Sequence, residues 1–112
     1  MRKVFGVFIA GMAVVSYTAC KKDLTPVCDG SNPTYNGEIK AIIDNNCTGG
    51  LCHDNGSSKG DFTSYAGLLN VLENGKFKSE VLIDQSMPRN GSLNQQEIDA
   101  IQCWSENNYP EQ

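Results

Sequence analysis

Two cysteines and the only histidine of the chain stand together in the run Cys47-Thr-Gly-Gly-Leu-Cys52-His53. Two thiols beside an imidazole allow three kinds of chemistry. The thiols could add to the vinyl groups of a haem whose iron the imidazole ligates, they could form a local disulfide, or all three groups could bind zinc with a fourth ligand. Haem attachment usually places two residues between the cysteines, whereas four stand here. The glycine pair in this insert lets it bulge while both sulfurs reach one cofactor.

A second candidate ligand is Met87, which lies 34 residues after His53 and is followed by Pro88. Proline disfavours the helical conformation of the residue before it, so Met87 is expected in an extended loop that can present its sulfur. A thioether opposite a histidine is the ligand pair that raises the potential of a haem iron.

The elements that must position these groups are helices. Isoleucines at 39, 42 and 43 have helical spacing and predict a helix from about Tyr35 to Asn45, ended by Asn45-Asn46. Ser64 is placed to cap a second helix, which carries apolar residues at 65, 68, 69 and 72 and ends at Asn74-Gly75.

A terminal helix is expected to begin at a capping box, Ser92-Leu-Asn-Gln95, and to run to about Asn107. Its apolar face consists of Leu93, Ile98, Ile101 and Trp104. The short run Val81-Leu82-Ile83 is too brief to classify by its period. No repeat or alternating strand pattern occurs, so the expected fold is all-α, with long loops between few helices. Such loops supply little core of their own, and a large apolar cofactor would fill the centre.

The order of these features resembles class I cytochrome c, in particular the small single-haem domains of bacterial lipoproteins. The resemblance rests on the Cys-x4-Cys-His run after a helix, on Gly60-Asp-Phe62, on Tyr65-Ala-Gly-Leu68 and on Met87-Pro88 before a terminal helix that contains Ile101-Gln-Cys-Trp104. It covers about residues 34–109.

This resemblance implies three to four helices wrapped around one haem c, with the first and last helices packed together. It implies thioether links at Cys47 and Cys52, a proximal ligand at His53 and a distal ligand at Met87. An iron with both axial ligands has no open site, so the implied role is single-electron transfer rather than catalysis. No proline follows His53, so another carbonyl or carboxylate is expected to orient the imidazole ring.

The N-terminus has the features of an export signal. Arg2 and Lys3 precede twelve residues, Val4 to Val15, that are apolar apart from glycines, a stretch shorter than the ~20 residues of a membrane span. Thr18-Ala19-Cys20 then resembles the lipobox of bacterial lipoproteins, with Tyr17 where leucine is usual. We therefore expect a signal peptide over 1–19 and lipidation of Cys20. Ordinary secretory cleavage, leaving Cys20 as a free thiol, is the alternative.

The expected mature protein is a 93-residue chain in the bacterial cell envelope, periplasmic or surface-facing. Residues 20–33 form a tether to the membrane and residues 34–112 form the cytochrome c-like domain. If Cys20 carries lipid and Cys47 and Cys52 carry haem, as the resemblances imply, then Cys28 and Cys103 remain, and we expect them to pair in the oxidising envelope.

The net charge of the expected mature chain bears on which macromolecules it could bind. Removing Arg2 and Lys3 from the nine basic residues leaves seven against 13 acidic ones, a net charge of −6. The sequence has no basic patch, which argues against nucleic acid as a partner. An acidic surface favours a basic redox partner, although solubility explains the charge equally well.

Two further interpretations remain open. The chain could be a haem-free, disulfide-stapled surface lipoprotein that binds or scaffolds a partner, with Cys47 and Cys52 joined to each other. Alternatively, a haem that lacks the Met87 ligand would form a five-coordinate site for a gas or peroxide.

Overall fold

The computed structural model describes residues 24–49 and 52–112. In chain order these form a π-helical turn (Tyr35–Ile39), α1 (Lys40–Asn46), α2 (Tyr65–Glu73), α3 (Lys76–Lys78), a second π-helical turn (Ser79–Ile83) and α4 (Gln95–Glu106). No strand occurs in these two ranges, which confirms the expected all-α class. The expected signal peptide and lipidation of Cys20 lie outside the described residues. Every described helix is too short or too polar to cross a bilayer.

The first helical unit begins where the isoleucine spacing predicts. The Thr34 hydroxyl accepts the Gly37 backbone N–H at 3.0 Å, which satisfies one free donor of the first turn. The π-helical turn continues directly into α1, and Ile39 and Ile43 are fully buried. α1 ends at Cys47, whose N–H donates to the Ile43 carbonyl at 2.7 Å. The candidate attachment site therefore begins at the last turn of a helix anchored in the core.

The second predicted helix is also confirmed. Ser64 caps α2 by accepting the Gly67 N–H at 3.1 Å, and Leu68 and Leu72 face the core. Asn74 is the C-cap, and Gly75 follows in the left-handed conformation. The apolar run at residues 81–83, too short to classify from sequence, lies in the second π-helical turn.

The predicted capping box of α4 is wrong by two residues. Asn94, rather than Ser92, caps the helix: its side chain accepts the Glu97 N–H at 2.9 Å, and the Glu97 carboxylate accepts the Asn94 N–H at 3.0 Å. This register places Leu93 before the cap and Ile98 at the fourth helical position, and both are buried in the core. Such a pair forms a hydrophobic staple, which a cap at Ser92 would not provide. Glu97, which interrupts the apolar face in the sequence, is therefore a capping residue.

The first helical unit packs against α4 through its π-helical turn (Tyr35–Ile39), as expected. The two helical units share one core cluster, to which they contribute Tyr35, Ile39, Ile43, Ile98, Ile101 and Trp104. Ile42 is only half-buried and packs at the edge of that cluster.

Trp104 lies fully buried at the centre of the aromatic part of the core. Its ring centroid is 6.4 Å from that of Tyr35, 6.0 Å from that of Phe77 and 4.9 Å from that of Tyr109. The indole N–H donates to the Pro110 carbonyl at 2.9 Å, so its single polar group is satisfied. Since Phe77 also lines the candidate site, Trp104 connects the C-terminal tail to that site through direct packing.

The disulfide between Cys28 and Cys103 is present, as expected. It is one of several contacts that hold residues 24–32, here called the strap, along one stripe of α4. The stripe has a four-residue period, and its pairs are Asn107 with Ser31, Cys103 with Cys28, Asp99 with Val27 and Gln95 with Thr25. From Leu24 onward, the segment expected to be a tether thus lies against the domain.

A close backbone approach explains the glycine in α2. A Cβ atom on Gly67 would lie 1.9 Å from the carbonyl oxygen of Asp61, well inside van der Waals contact. The chain that leads from His53 through Phe62 into α2 can therefore run against this helix only where a side chain is absent.

Replacing Gly67 with alanine should destabilise the fold by about 1–3 kcal/mol, because the gain in helix propensity is smaller than the cost of displacing backbone. Urea unfolding of the mature protein measures this free energy. The matched control is Asn70→Ala, an exposed position of the same helix, where we expect a change within about 0.5 kcal/mol. Equal effects of the two substitutions would contradict the close-approach explanation.

Candidate functional site

One cavity of about 360 Å³ contains all four residues predicted to hold a cofactor: Cys47, Cys52, His53 and Met87. They come from the end of α1, the following loop and the loop before α4. The volume falls within the range of small-molecule sites, roughly 300–1,000 Å³. The fold therefore brings together groups that are up to 40 positions apart in the sequence.

The cavity wall between these groups is largely apolar. Phe62, Phe77 and Val81 are buried side chains that line it, and Val71 is a half-buried one. All four belong to the core cluster or pack against it. The site is thus an opening into the hydrophobic core rather than a groove between surface loops.

Hydrogen bonds join the described residues on the two sides of Gly50 and Leu51 to one another, and join His53 to Phe62. The His53 N–H donates to the Cys47 carbonyl at 3.0 Å, and the Phe62 N–H donates to the His53 carbonyl at 2.9 Å. The Gly49 N–H donates to the Asp54 carboxylate at 2.6 Å. These bonds keep both ends of the Cys47–His53 run in place; Gly50 and Leu51 lie outside the described residues.

The ring of His53 is held on two sides. Its Nδ1 lies 3.2 Å from the Gly60 carbonyl oxygen, and its plane stacks on Phe62 with centroids 3.9 Å apart and an angle of 7°. A carbonyl oxygen only accepts hydrogen bonds, so this contact places the proton of the neutral ring on Nδ1. Nε2 then keeps its lone pair, as in histidines that ligate a metal. The orienting carbonyl expected from the sequence is therefore that of Gly60.

Gly60 is suited to this role by its conformation. Its φ is +107°, and a Cβ atom there would lie 3.1 Å from Cε1 of Phe62 and 3.7 Å from Nδ1 of His53. A side chain would be strained by the backbone and crowded by both rings. The sequence signal for this position was the Gly60-Asp-Phe62 step, although nothing in it indicated which atom would meet the histidine.

Met87 lines the same cavity from the loop before α4. It is half-buried and packs against the core cluster, and the peptide bond that joins it to Pro88 is cis. Its N–H donates to the Glu80 carbonyl at 3.1 Å. The second π-helical turn, which the sequence did not identify, therefore anchors the loop that carries this sulfur.

The two candidate attachment thiols are free, while the other described pair is a disulfide. Cys52 is exposed and Cys47 is half-buried. Burial, together with repulsion from Cys52, raises the pKa of the Cys47 thiol from its ordinary value of 9.0 to about 11. Cys47 is thus a neutral thiol at physiological pH.

A compact zinc site is not formed by these groups. Within residues 24–49 and 52–112, the metal-ligand atoms that cluster within 4.8 Å of one another belong to Cys28, Asp29 and Cys103. The two sulfurs of that cluster are already joined to each other. The thiols and imidazole of Cys47, Cys52 and His53 do not form such a cluster.

The mouth of the cavity differs in charge from the rest of the protein. Lys59, Lys76 and Arg89 line it with exposed side chains, beside the half-buried Glu80. None of these three cations forms an ion pair with a described residue; the ion pair of the described part joins Lys40 to Asp44. A chain with a net negative charge therefore concentrates unpaired positive charge at its candidate site.

The raised pKa of Cys47 predicts its reactivity in the haem-free protein. Alkylation by iodoacetamide at pH 8, followed by peptide mass spectrometry, should modify Cys52 well before Cys47, because alkylation needs an accessible thiolate. Equal labelling of both cysteines would contradict the burial of Cys47.

The same shift predicts a pH dependence of stability. A folded pKa above the unfolded value favours the protonated thiol in the folded state, so stability is retained below pH 9 and lost as pH rises towards 11. Urea unfolding between pH 8 and 11 measures this loss, which should be smaller in a Cys47→Ser variant.

Comparison with protein-family models, curated proteins and solved structures found no match for this chain.

Proposed function

We propose that the mature chain is a lipid-anchored monohaem c-type cytochrome that carries single electrons, with a small class I cytochrome c-like fold. The observation that carries this proposal is the cavity in which Cys47, Cys52, His53 and Met87 meet. Two thiols, an imidazole and a thioether are the complete set of protein groups that a haem c with two axial ligands requires.

The surroundings of these residues suit the same group. Haem is flat and largely apolar, and the walls formed by Phe62, Phe77 and Val81 would exclude water from its faces. The His53 ring already has its Nδ1 proton directed to a carbonyl and Nε2 free, which is the tautomer that a proximal ligand needs. Unpaired cations at the mouth would compensate the carboxylates of a haem.

Each residue has a distinct task in this proposal. Cys47 and Cys52 would hold the cofactor through thioether bonds, His53 would ligate its iron through Nε2 and Met87 would do so through its sulfur. When bound, the haem supplies a one-electron ferric–ferrous couple. The thioether ligand and the dry wall of the cavity would favour the reduced form and so raise the potential. With both axial positions filled by protein, no site is left for a substrate, which favours electron transfer over catalysis.

The state of the cysteines supports this reading over the haem-free alternative. That alternative explains the Cys28–Cys103 disulfide equally well, and it requires a second disulfide between Cys47 and Cys52. These two thiols are instead unbonded and line an apolar cavity. In a haem-free protein, two free thiols in an oxidising compartment would be open to disulfide formation.

Location and partners follow from the N-terminal sequence and the charge distribution. Lipid on Cys20 would hold the protein at a bacterial membrane, in the periplasm or facing outward. The acidic surface as a whole favours a basic redox partner. The same basic partner would instead meet Lys59, Lys76 and Arg89 if it approached the cavity. Added salt would slow association at the acidic surface, where the charges attract, and speed association at the cavity, where they repel.

Covalent attachment is tested by expressing the mature chain with a cytochrome c maturation system and staining a denaturing gel for haem. The unmodified chain should stain, and the double variant Cys47→Ser, Cys52→Ser should lose the stain because both thioethers are removed. The matched control is Cys28→Ser, Cys103→Ser, which removes the same number of sulfurs and should retain the stain. An unstained wild-type band with an unmodified mass would refute the proposal.

The role of Met87 is tested separately by spectroscopy. The ferric protein should show the weak sulfur-to-iron absorption band at the red end of the spectrum, and Met87→Ala should lose it and bind carbon monoxide when reduced. The wild-type protein should not bind carbon monoxide. An unchanged spectrum in the variant would mean that Met87 is not a ligand. Carbon monoxide binding by the reduced wild-type protein would instead favour the five-coordinate gas or peroxide site.

A further inference from the structure

The first residue of the strap, Leu24, makes two hydrogen bonds to the loop that carries Met87. The side-chain oxygen of Gln85 accepts the Leu24 N–H at 3.0 Å, and the amide nitrogen of the same side chain donates to the Leu24 carbonyl. Both backbone polar groups of Leu24 are thus paired with one glutamine, as they would be with a neighbouring strand. The two residues are 61 positions apart in the sequence.

Gln85 has an unusual backbone conformation. Its φ is +51°, a left-handed conformation that non-glycine residues adopt at some cost. It precedes Met87 by two residues, and the Met87 N–H is bound to the Glu80 carbonyl. Among the described residues, the Gln85 side chain makes the hydrogen bonds that join residues 84–88 to a distant part of the chain.

The other end of the strap is fixed covalently. Four residues after Leu24, Cys28 is bonded to Cys103 of α4, whose neighbour Trp104 is at the centre of the core. Between these points, the Val27 N–H donates to Asp99 at 2.9 Å. A series of bonds therefore leads from α4, along the strap, to the loop of Met87.

We propose that Gln85 is a positioning residue that uses the strap as a brace to hold Met87 at the cavity. Methionine is unbranched and has three rotatable bonds, so its own side chain does little to fix the sulfur. The backbone that carries it is held on one side by the Glu80 carbonyl and on the other by Gln85. Loss of the Gln85 contact would let the loop move, and a competing ligand would then displace the sulfur more easily.

This inference rests on the proposed function for what Met87 ligates, but the coupling of strap to loop can be measured without a cofactor. In the haem-free mature chain, hydrogen exchange at the Met87 amide should be about three- to tenfold faster in Gln85→Ala than in wild type, as expected for the loss of hydrogen bonds of ordinary net strength. In the haem-loaded protein, imidazole should remove the sulfur-to-iron band at a concentration lower by a similar factor.

Three further variants separate positioning from general destabilisation. Gln85→Gly relieves the left-handed backbone and should fold at least as well as the alanine variant, yet show the same loss. Leu24→Pro removes the N–H that donates to the Gln85 side chain, so it should also speed exchange at the Met87 amide. Leu24→Ala keeps this N–H and should speed the exchange less. Gln96→Ala, an exposed glutamine of α4, should change nothing.

The outcomes distinguish this inference from the proposed function. If wild type takes up no haem, the proposed function fails, and the exchange rate of the Met87 amide still decides the coupling. If wild type shows the sulfur band but all Gln85 and Leu24 variants match it in imidazole sensitivity and amide exchange, the brace is refuted.

Discussion

The hydrogen bond between His53 Nδ1 and the Gly60 carbonyl is the contact on which the geometry of the cavity depends. It sets the tautomer of the only imidazole in the chain and fixes the plane of the ring, which Phe62 supports from one face. Gly60 reaches this position because its φ of +107° is accessible to glycine. Residues 52–64, although they form no helix, are therefore a defined part of the site.

α4 joins two parts of the domain because two of its faces contact different segments. One face, with Ile98, Ile101 and Trp104, is buried against the first helical unit. A second stripe, with Cys103 at its centre, binds the strap through one covalent bond and several polar contacts. In the chain-entropy model, a disulfide that closes a loop of this length stabilises the fold by limiting the unfolded chain, by roughly 3–5 kcal/mol. It also keeps the strap within reach of Gln85.

Much of this arrangement could be predicted from the sequence because local signals were strong. Ser64 and Asn74-Gly75 correctly bounded α2, and isoleucine spacing located the first helix. The start of α4 was misplaced because Ser92-x-x-Gln95 and Asn94-x-x-Glu97 are equally good local caps. Only the burial of Leu93 beside Ile98, a tertiary effect, decides between them.

The strap and the orienting carbonyl could not be predicted for a different reason. The backbone of residues 24–32 bonds to side chains of a distant helix. Such a segment has no periodicity in its own sequence, so the sequence predicts a tether there. Backbone carbonyls likewise carry no sequence signal, and the role of Gly60 was open. The sequence did group Cys47, Cys52, His53 and Met87 together, and all four line one cavity.

The most direct measurement is the mass of one peptide. Trypsin cleavage after Lys40 and Lys59 releases residues 41–59, which contain both cavity cysteines and His53. From protein matured with a cytochrome c assembly system, this peptide should carry the mass of one haem and have no thiol left to alkylate. A peptide with two free thiols, or with a Cys47–Cys52 cystine, would contradict the account.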